Sequence, residues 1–286
     1  MRNHRGFTLI ELLVALVIML IVTGSIFTLL NTTQRVSRAQ AERVDLQSNV
    51  RTGSIVIPNE LREINTFEGG LIDQNDILDV PTETSVTYRA MRGIGFVCQT
   101  PTEGELRVSA GTWSGTRLPV ALRDSAYVFL EGADPDISTD DSWQPVRISA
   151  VALGSNCGSA AYAFTISPVV PILTSVSVGS PVRLYEVMQL SLYVSDGKSW
   201  LGARSVSANE ALQPVLGPLA DGSGLAFKYL DKNGNETAVT GDIKSIRLTI
   251  HGITDHAIVK GGSAGAVQQI DDSLVSEVLL RNAFRP

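Results

Sequence analysis

Between Phe7 and Leu30 the chain carries a single charge, the carboxylate of Glu11. A carboxylate placed in hydrocarbon costs roughly 2.5–3.5 kcal/mol on insertion scales, so a residue of this kind needs a partner. The apolar run contains none. A cut after Gly6 would make one, because the new ammonium on Phe7 would stand four residues before Glu11, one helical turn away. The chemistry that this spacing offers is ion pairing in an apolar medium.

Other constellations have blander explanations. Gly261-Gly262-Ser263-Ala264-Gly265 has the form of a nucleophile elbow, which needs a strand before it, a helix after it and a later His. His4, His251 and His256 all precede Ser263, and the residues after it read as strand, so a hairpin loop is expected. Asp231, Asn233, Asn235 and Asp242 echo a calcium-loop spacing, but Glu236 stands where the sharp turn needs Gly; a polar turn is expected. Asp134, Asp136, Ser138, Asp140 and Asp141 form a denser acidic loop. Its Asp134, Asp136 and Asp140 are the candidate ligands for Ca²⁺, the one cofactor considered, against the plain alternative of a solvated acidic loop. His251 and His256 lie five apart with no third ligand near in sequence, and Trp113, Trp143 and Trp200 read as packing residues.

The 286 residues carry a net charge of −6, with no Lys/Arg-rich run, which is a poor electrostatic match to phosphate backbones; nucleic-acid binding is not expected. Cys98 and Cys157 are the only cysteines. In a translocated domain two thiols usually pair. Such a bridge would close a loop of about 60 residues and contribute roughly 4 kcal/mol on the chain-entropy model. The alternative is two unpaired thiols in separate strands.

Positioning these groups requires a long helix and a β domain. The apolar run is long enough to span a bilayer. Arg2 and Arg5 before it favour a cytoplasmic N-terminus, although Arg35, Arg38 and Arg43 beyond it weaken that inference. After Leu30, apolar residues recur at helical spacing (Val36, Ala39, Val44, Leu46, Val50, Ile57, Leu61 and Ile64), predicting one helix that lays an apolar stripe on a globular part. Gly24 and Gly53 are soft spots. Pro58 predicts a kink or break near Ile57, with a last turn or two to Ile64. From about Phe67, short runs rich in Val, Ile, Thr and Tyr predict strands. One hairpin is expected over 184–206 with its turn at Asp196-Gly197, and a second over 225–239. Further strands are expected at 242–251 and 274–281, and loops over 207–221.

The N-terminal residues closely resemble the signal of type IV prepilins: a short basic leader ending in Gly6, then Phe7-Thr8-Leu9-Ile10-Glu11 and an apolar helix. Neither a secretory signal, with its shorter core and small-residue cleavage site, nor a plain anchor accounts for Glu11 and the Gly6-Phe7 junction. The resemblance implies cleavage between Gly6 and Phe7 by a prepilin peptidase, N-methylation of Phe7, and a role for Glu11 in assembly. It implies a structural subunit rather than an enzyme.

A second resemblance lies further along. Val182-Arg183-Leu184-Tyr185, Trp200-Leu201-Gly202, Gly217-Pro218-Leu219, 224–229 and Val278-Leu279-Leu280-Arg281-Asn282 resemble PilW-like minor pilins; the J-type minor pseudopilins of type II secretion are similar but shorter. It implies an α+β, type IV pilin-like fold, with a long helix packed on an antiparallel sheet and a large insertion over 93–181. The expected division is 1–6 leader, 7–30 transmembrane and assembly helix, 31–66 amphipathic continuation, and 67–286 extracytoplasmic head. The function implied is a minor pilin in the initiation or tip assembly of type IV pili, with twitching motility downstream. The alternatives are a J-type pseudopilin and a membrane-tethered adhesive module. Expected partners are the prepilin peptidase, other minor and major pilins and the inner-membrane assembly machinery. The expected location is the inner membrane with the head in the periplasm, then the pilus.

Overall fold

The computed structural model describes residues 8–66, 75–102, 104–134, 136–137, 140–154, 157, 161–167, 176–259 and 266–281. A single helix, α1, runs from Leu9 to Leu61. It is followed by strands β1 (Ser85–Thr102), β2 (Glu105–Ser109), β3 (Ser114–Gly115), β4 (Asp124–Leu130), β5 (Ser142–Gly154), β6 (Ala161–Ser167) and β7 (Pro181–Ser195). Then come β8 (Lys198–Ser205), β9 (Gln213–Leu219), β10 (Leu225–Leu230), β11 (Ser245–Ile253), β12 (Ile258–Val259), β13 (Val267–Gln268) and β14 (Asp271–Leu279). The long helix followed by an antiparallel β domain is the α+β arrangement expected from the sequence. The chain divides into two compact units, Met1–Ser48 with Thr254–Asp271, and Asn49–Ile253 with Asp272–Pro286. The stretch Thr254–Asp271 thus clusters with the helix rather than with the β domain.

In the larger unit, β7 organises the sheet. One of its edges pairs with β1 from Phe96↔Pro181 to Ser85↔Ser191. The other pairs first with β4 and then with β8. Because β4 continues through β5, β6 and β2 back to β1, those six strands close on themselves. Val97, Leu106, Val108, Ala126, Val128, Val146, Ile148, Val182 and Leu184 fill the interior as one buried cluster. The segment 93–181 is therefore a small barrel built on the far halves of β1 and β7.

The near halves of β1 and β7 continue through β8 and β9 to β11, which pairs with β10 and β14. Strict alternation along β11 buries Ile246, Leu248 and Ile250 on one face. The last turns of α1 pack here. Gly53 lies so close to this face that a Cβ would come within 2.6 Å of Leu216 Cδ2 and 2.7 Å of Ile250 Cδ1. Val50, Ile57, Leu61 and Ile64 are buried, and Asn49 Nδ2 donates to Gly217 O at 3.0 Å.

Four expectations are corrected. The helix is not broken at Pro58 and ends at Leu61, with Arg62 N–H donating to Pro58 O at 3.0 Å. Proline in a helix interior costs about 3 kcal/mol. Burying Ile57 and Leu61 contributes about 1.5–3 kcal/mol each and outweighs it. Val36 and Val44 are exposed, so the buried stripe begins only at Leu46. Residues 213–219, expected as loop, form β9; its prolines conceal a strand whose Leu216 and Leu219 are buried. Finally, 236–239 makes only the single bridge Leu230↔Glu236 rather than a strand.

Candidate functional site

The described chain begins at Thr8, so Gly6 and Phe7 lie outside the described residues. At the start of α1 the sequence Thr8-Leu9-Ile10-Glu11 closes a reciprocal cap. Thr8 N–H donates to Glu11 Oε2 at 2.9 Å, and Glu11 N–H donates to Thr8 Oγ1 at 3.3 Å. The Thr8 hydroxyl also donates to Glu11 Oε2 at 3.0 Å. A Thr at the N-cap with Glu three residues later satisfies two of the orphan N–H groups of a helix start. Glu11 is thus held against its own helix, with an acceptor oxygen directed at the N-terminal end. A reading of Glu11 by its charge alone misses the cap, although Thr-x-x-Glu before an apolar run is its signature.

Beyond the cap, α1 is apolar and long enough to cross a bilayer. Four hydroxyls at and just beyond the end of this apolar run are bonded within the helix: Ser25 donates to Ile21 O, Thr28 to Gly24 O, Thr32 to Thr28 O and Thr33 to Leu29 O, each at 2.9 Å. This matters in lipid, where an unsatisfied polar group costs several kcal/mol.

Among the described residues of the acidic loop, the carboxylates of Asp134, Asp140 and Asp141 face backbone N–H groups. Asp141 Oδ1 accepts from Gly132 N–H at 2.9 Å, Asp140 Oδ2 from Asp134 N–H at 3.2 Å, and Asp134 Oδ1 from Asp136 N–H at 3.1 Å. Their oxygens brace the loop backbone, and among the described residues no three His, Cys, Asp or Glu side chains converge to hold an ion. Asp231 Oδ1 likewise accepts from Asn233 and Asn235 N–H at 2.8 and 2.9 Å, an Asx-type turn. His256 Nδ1 lies 2.9 Å from Glu42 Oε1, whose Oε2 accepts the His256 N–H at 3.2 Å. Gly261–Gly265 lies outside the described residues. Cys98 of β1 and Cys157, between β5 and β6, are bonded, with Cα atoms 5.6 Å apart. The tryptophans pack: Trp113 against Gly93 and Gly95, Trp143 edge-on to Phe129, and Trp200 over Gly217.

A charged cluster in the β domain has no signature in the sequence. Glu186 of β7 is buried, with its side chain 1% exposed. It accepts from Arg123 Nε at 2.5 Å, Arg92 Nε at 3.0 Å and Arg117 Nη2 at 3.0 Å. Arg117 also grips the buried Asp124 with both Nη atoms at 2.6 and 2.5 Å. Arg92 continues to Glu60 of α1 at 2.7 Å, and Arg123 to Glu210 at 3.0 Å. Burial alone would push the Glu186 carboxyl up; the Ser205 hydroxyl and the three guanidinium groups more than offset this and hold it down at about 2. The cluster ties the end of α1 to β1, β4 and β7. Its Arg123 also borders an open pocket of about 420 Å³ with Val120, Leu122 and Ser207, and its carboxylates are all occupied by guanidinium groups that brace these elements against one another.

A long apolar N-terminal helix ahead of an antiparallel sheet defines a type IV pilin-like α+β fold. Residues 1–27 match the prokaryotic N-terminal methylation motif, which supports a type IV pilin or pseudopilin and indicates a structural, membrane-anchored subunit processed by prepilin peptidase. Comparisons with curated proteins and with solved structures gave no match.

Proposed function

We propose that this chain is a PilW-like minor type IV pilin that takes part in initiating pili or assembling their tip. Prepilin peptidase cuts between Gly6 and Phe7 and methylates the Phe7 amine. The helix rests in the inner membrane with the head in the periplasm until the subunit joins other minor and major pilins at the assembly machinery. The observation that carries the pilin part of this reading is the methylation motif over residues 1–27, which contains the Thr8–Glu11 cap, and the PilW-like part rests on the resemblance over 182–185, 200–202, 217–219, 224–229 and 278–282. In a filament, Glu11 meets the Phe7 amine of a neighbouring subunit. Desolvation offsets much of that attraction, so the pair sets axial register more than stability. The proposed head covers 67–286, with the Cys98–Cys157 bridge formed on export.

The cap makes the test discriminating, because Gln can replace Glu in a capping box. Glu11→Gln keeps the hydrogen bonds and loses the charge, Glu11→Ala loses both, and Thr8→Ala loses most of the cap and keeps the charge. The ionic register predicts that both Glu11 variants are processed and inserted yet absent from sheared filaments, whereas Thr8→Ala is incorporated. Normal incorporation of Glu11→Gln would refute it.

A second reading, a tethered adhesive module, draws on the barrel that 93–181 forms with the first half of β7, a second buried core beside the face on which the last turns of α1 pack. Leu118→Ser/Leu153→Ser changes two exposed side chains of this segment and leaves its buried cluster and the Glu186 ion pairs in place. Pili retained with adhesion lost would favour the adhesive module; pili lost would favour assembly.

A further inference from the structure

Just beyond the apolar run, in the smaller unit, α1 and the β12–β13 hairpin enclose an open groove of about 520 Å³. Thr32, Arg35, Val36 and Ala39 share one helix face at spacings of three and four, and Ile258 and Val267 line the opposite side. Arg38 also lines the groove. Val36 and Val267 are exposed apolar side chains within it. Neither Arg35 nor Arg38 has an ion pair among the described residues, whereas the nearby Glu42 is taken up by His256. Two cations without counter-ions among the described residues stand over an apolar floor.

We propose that this groove holds the headgroup phosphate and upper acyl chain of an anionic phospholipid before the subunit joins a filament. The inference rests on the reading of residues 7–30 as membrane-spanning. The geometry of that span sets the level. Leu9 to Leu30 extends about 33 Å in helix, matching a hydrocarbon core of about 30 Å. Arg35 and Arg38 then stand about 7.5 and 12 Å beyond Leu30. A headgroup layer is about 5–7 Å thick on each side, and arginine stems can bend back toward it, so both guanidinium groups reach the phosphate level. A guanidinium offers paired N–H donors that match phosphate oxygens. An acyl chain leaving the same phosphate would cover Val36 and Val267, and this combination of charge and apolar floor favours lipid over a soluble anion.

The test uses the full-length chain reconstituted with equal parts phosphatidylcholine and phosphatidylglycerol. After mild detergent extraction, native mass spectrometry reads the lipids retained. Wild type should keep phosphatidylglycerol over phosphatidylcholine by at least about five-fold. Arg35→Gln/Arg38→Gln should return to the bulk ratio, and Arg43→Gln, outside the groove, should behave as wild type. Equal retention by wild type and the double variant overturns the site, as does an Arg43→Gln loss as large as that of the double variant. Dimers in place of lipid adducts, abolished by the double variant, overturn it in favour of a second copy of this chain. Alkaline carbonate extraction separates the underlying reading: a chain that stays inserted without a lipid preference refutes the groove alone, and one that washes out refutes the span as well.

Discussion

Replacing Glu186 with Gln preserves the size and shape of the side chain but removes the charge on which Arg92, Arg117 and Arg123 converge. The carboxyl is held at about 2 against an ordinary 4.5, a difference worth about 3 kcal/mol at roughly 1.4 kcal/mol per unit. The guanidinium groups are 13–34% exposed, and water screens part of this. Uncompensated arginines act in the opposite direction, since breaking a buried pair typically costs 3–5 kcal/mol. The expected loss is about 2–4 kcal/mol, which in a domain of this size lowers Tm by about 5–15 °C. The pH dependence gives a second check. A carboxyl depressed in the folded state contributes stability that is present above its unfolded value and lost as pH falls from about 4.5 toward 2. The gap between wild type and Glu186→Gln should therefore be largest at neutral pH and narrow on acidification. Tryptophan fluorescence during thermal unfolding of the full-length protein in detergent reads both. Equal Tm at neutral pH, or a gap that widens in acid, would refute the assignment of this cluster as the joint between α1 and the sheet.

Other perturbations probe separate parts of the structure. Asp76 is buried and pushed up to about 6 by that burial, despite the Asn65 N–H and the charges of Arg89 and Arg183. An acid raised in this way favours the folded state when protonated, so stability should fall by up to about 3 kcal/mol as pH rises from about 4 through 6. Asp76→Asn should flatten that slope in chemical unfolding, and an unchanged slope would exclude Asp76 as its source. Gly53→Val should destabilise by about 1–3 kcal/mol through overpacking against Leu216 and Ile250. Gly24→Ala, where a Cβ meets nothing within 4 Å, should not destabilise; equal losses at both sites in thermal unfolding would contradict tight packing at Gly53. The Cys98–Cys157 bridge predicts no alkylation before reduction, two alkylated thiols after it, and a stability loss of roughly 4 kcal/mol. Two alkylated thiols in the unreduced protein would exclude the bridge.

Local signals are legible in the sequence. Asp196 and Gly197 both adopt positive φ, +52° and +72°, the conformation that Asp-Gly favours between two strands, and β7 and β8 flank them as expected. The alternation of Ile246, Leu248 and Ile250 marks β11 within a few residues. Features that escape depend on distant partners. The barrel closes through β1–β7 pairs nearly a hundred residues apart, and Arg92, Arg117, Arg123 and Glu186 each look like an ordinary charge at a strand or loop. β9 escapes because Pro214, Gly217 and Pro218 are breakers in isolation. There the backbone needs Gly217, at φ +152°, since a Cβ would come within 2.7 Å of the Trp200 ring. The Thr8–Glu11 cap is legible too, but the lone charge of Glu11 draws the eye away from the hydroxyl three residues before it.

Everything proposed for Glu11 requires that the chain be cut to expose an amine one helical turn ahead of it. Mass spectrometry of the N-terminal peptide from membranes of cells with an active prepilin peptidase reads this directly. The expected peptide begins at N-methylated Phe7 and reverts to Met1 when the peptidase is absent. A mature protein that still begins at Met1 with the peptidase present, or that is cut anywhere else, would contradict it.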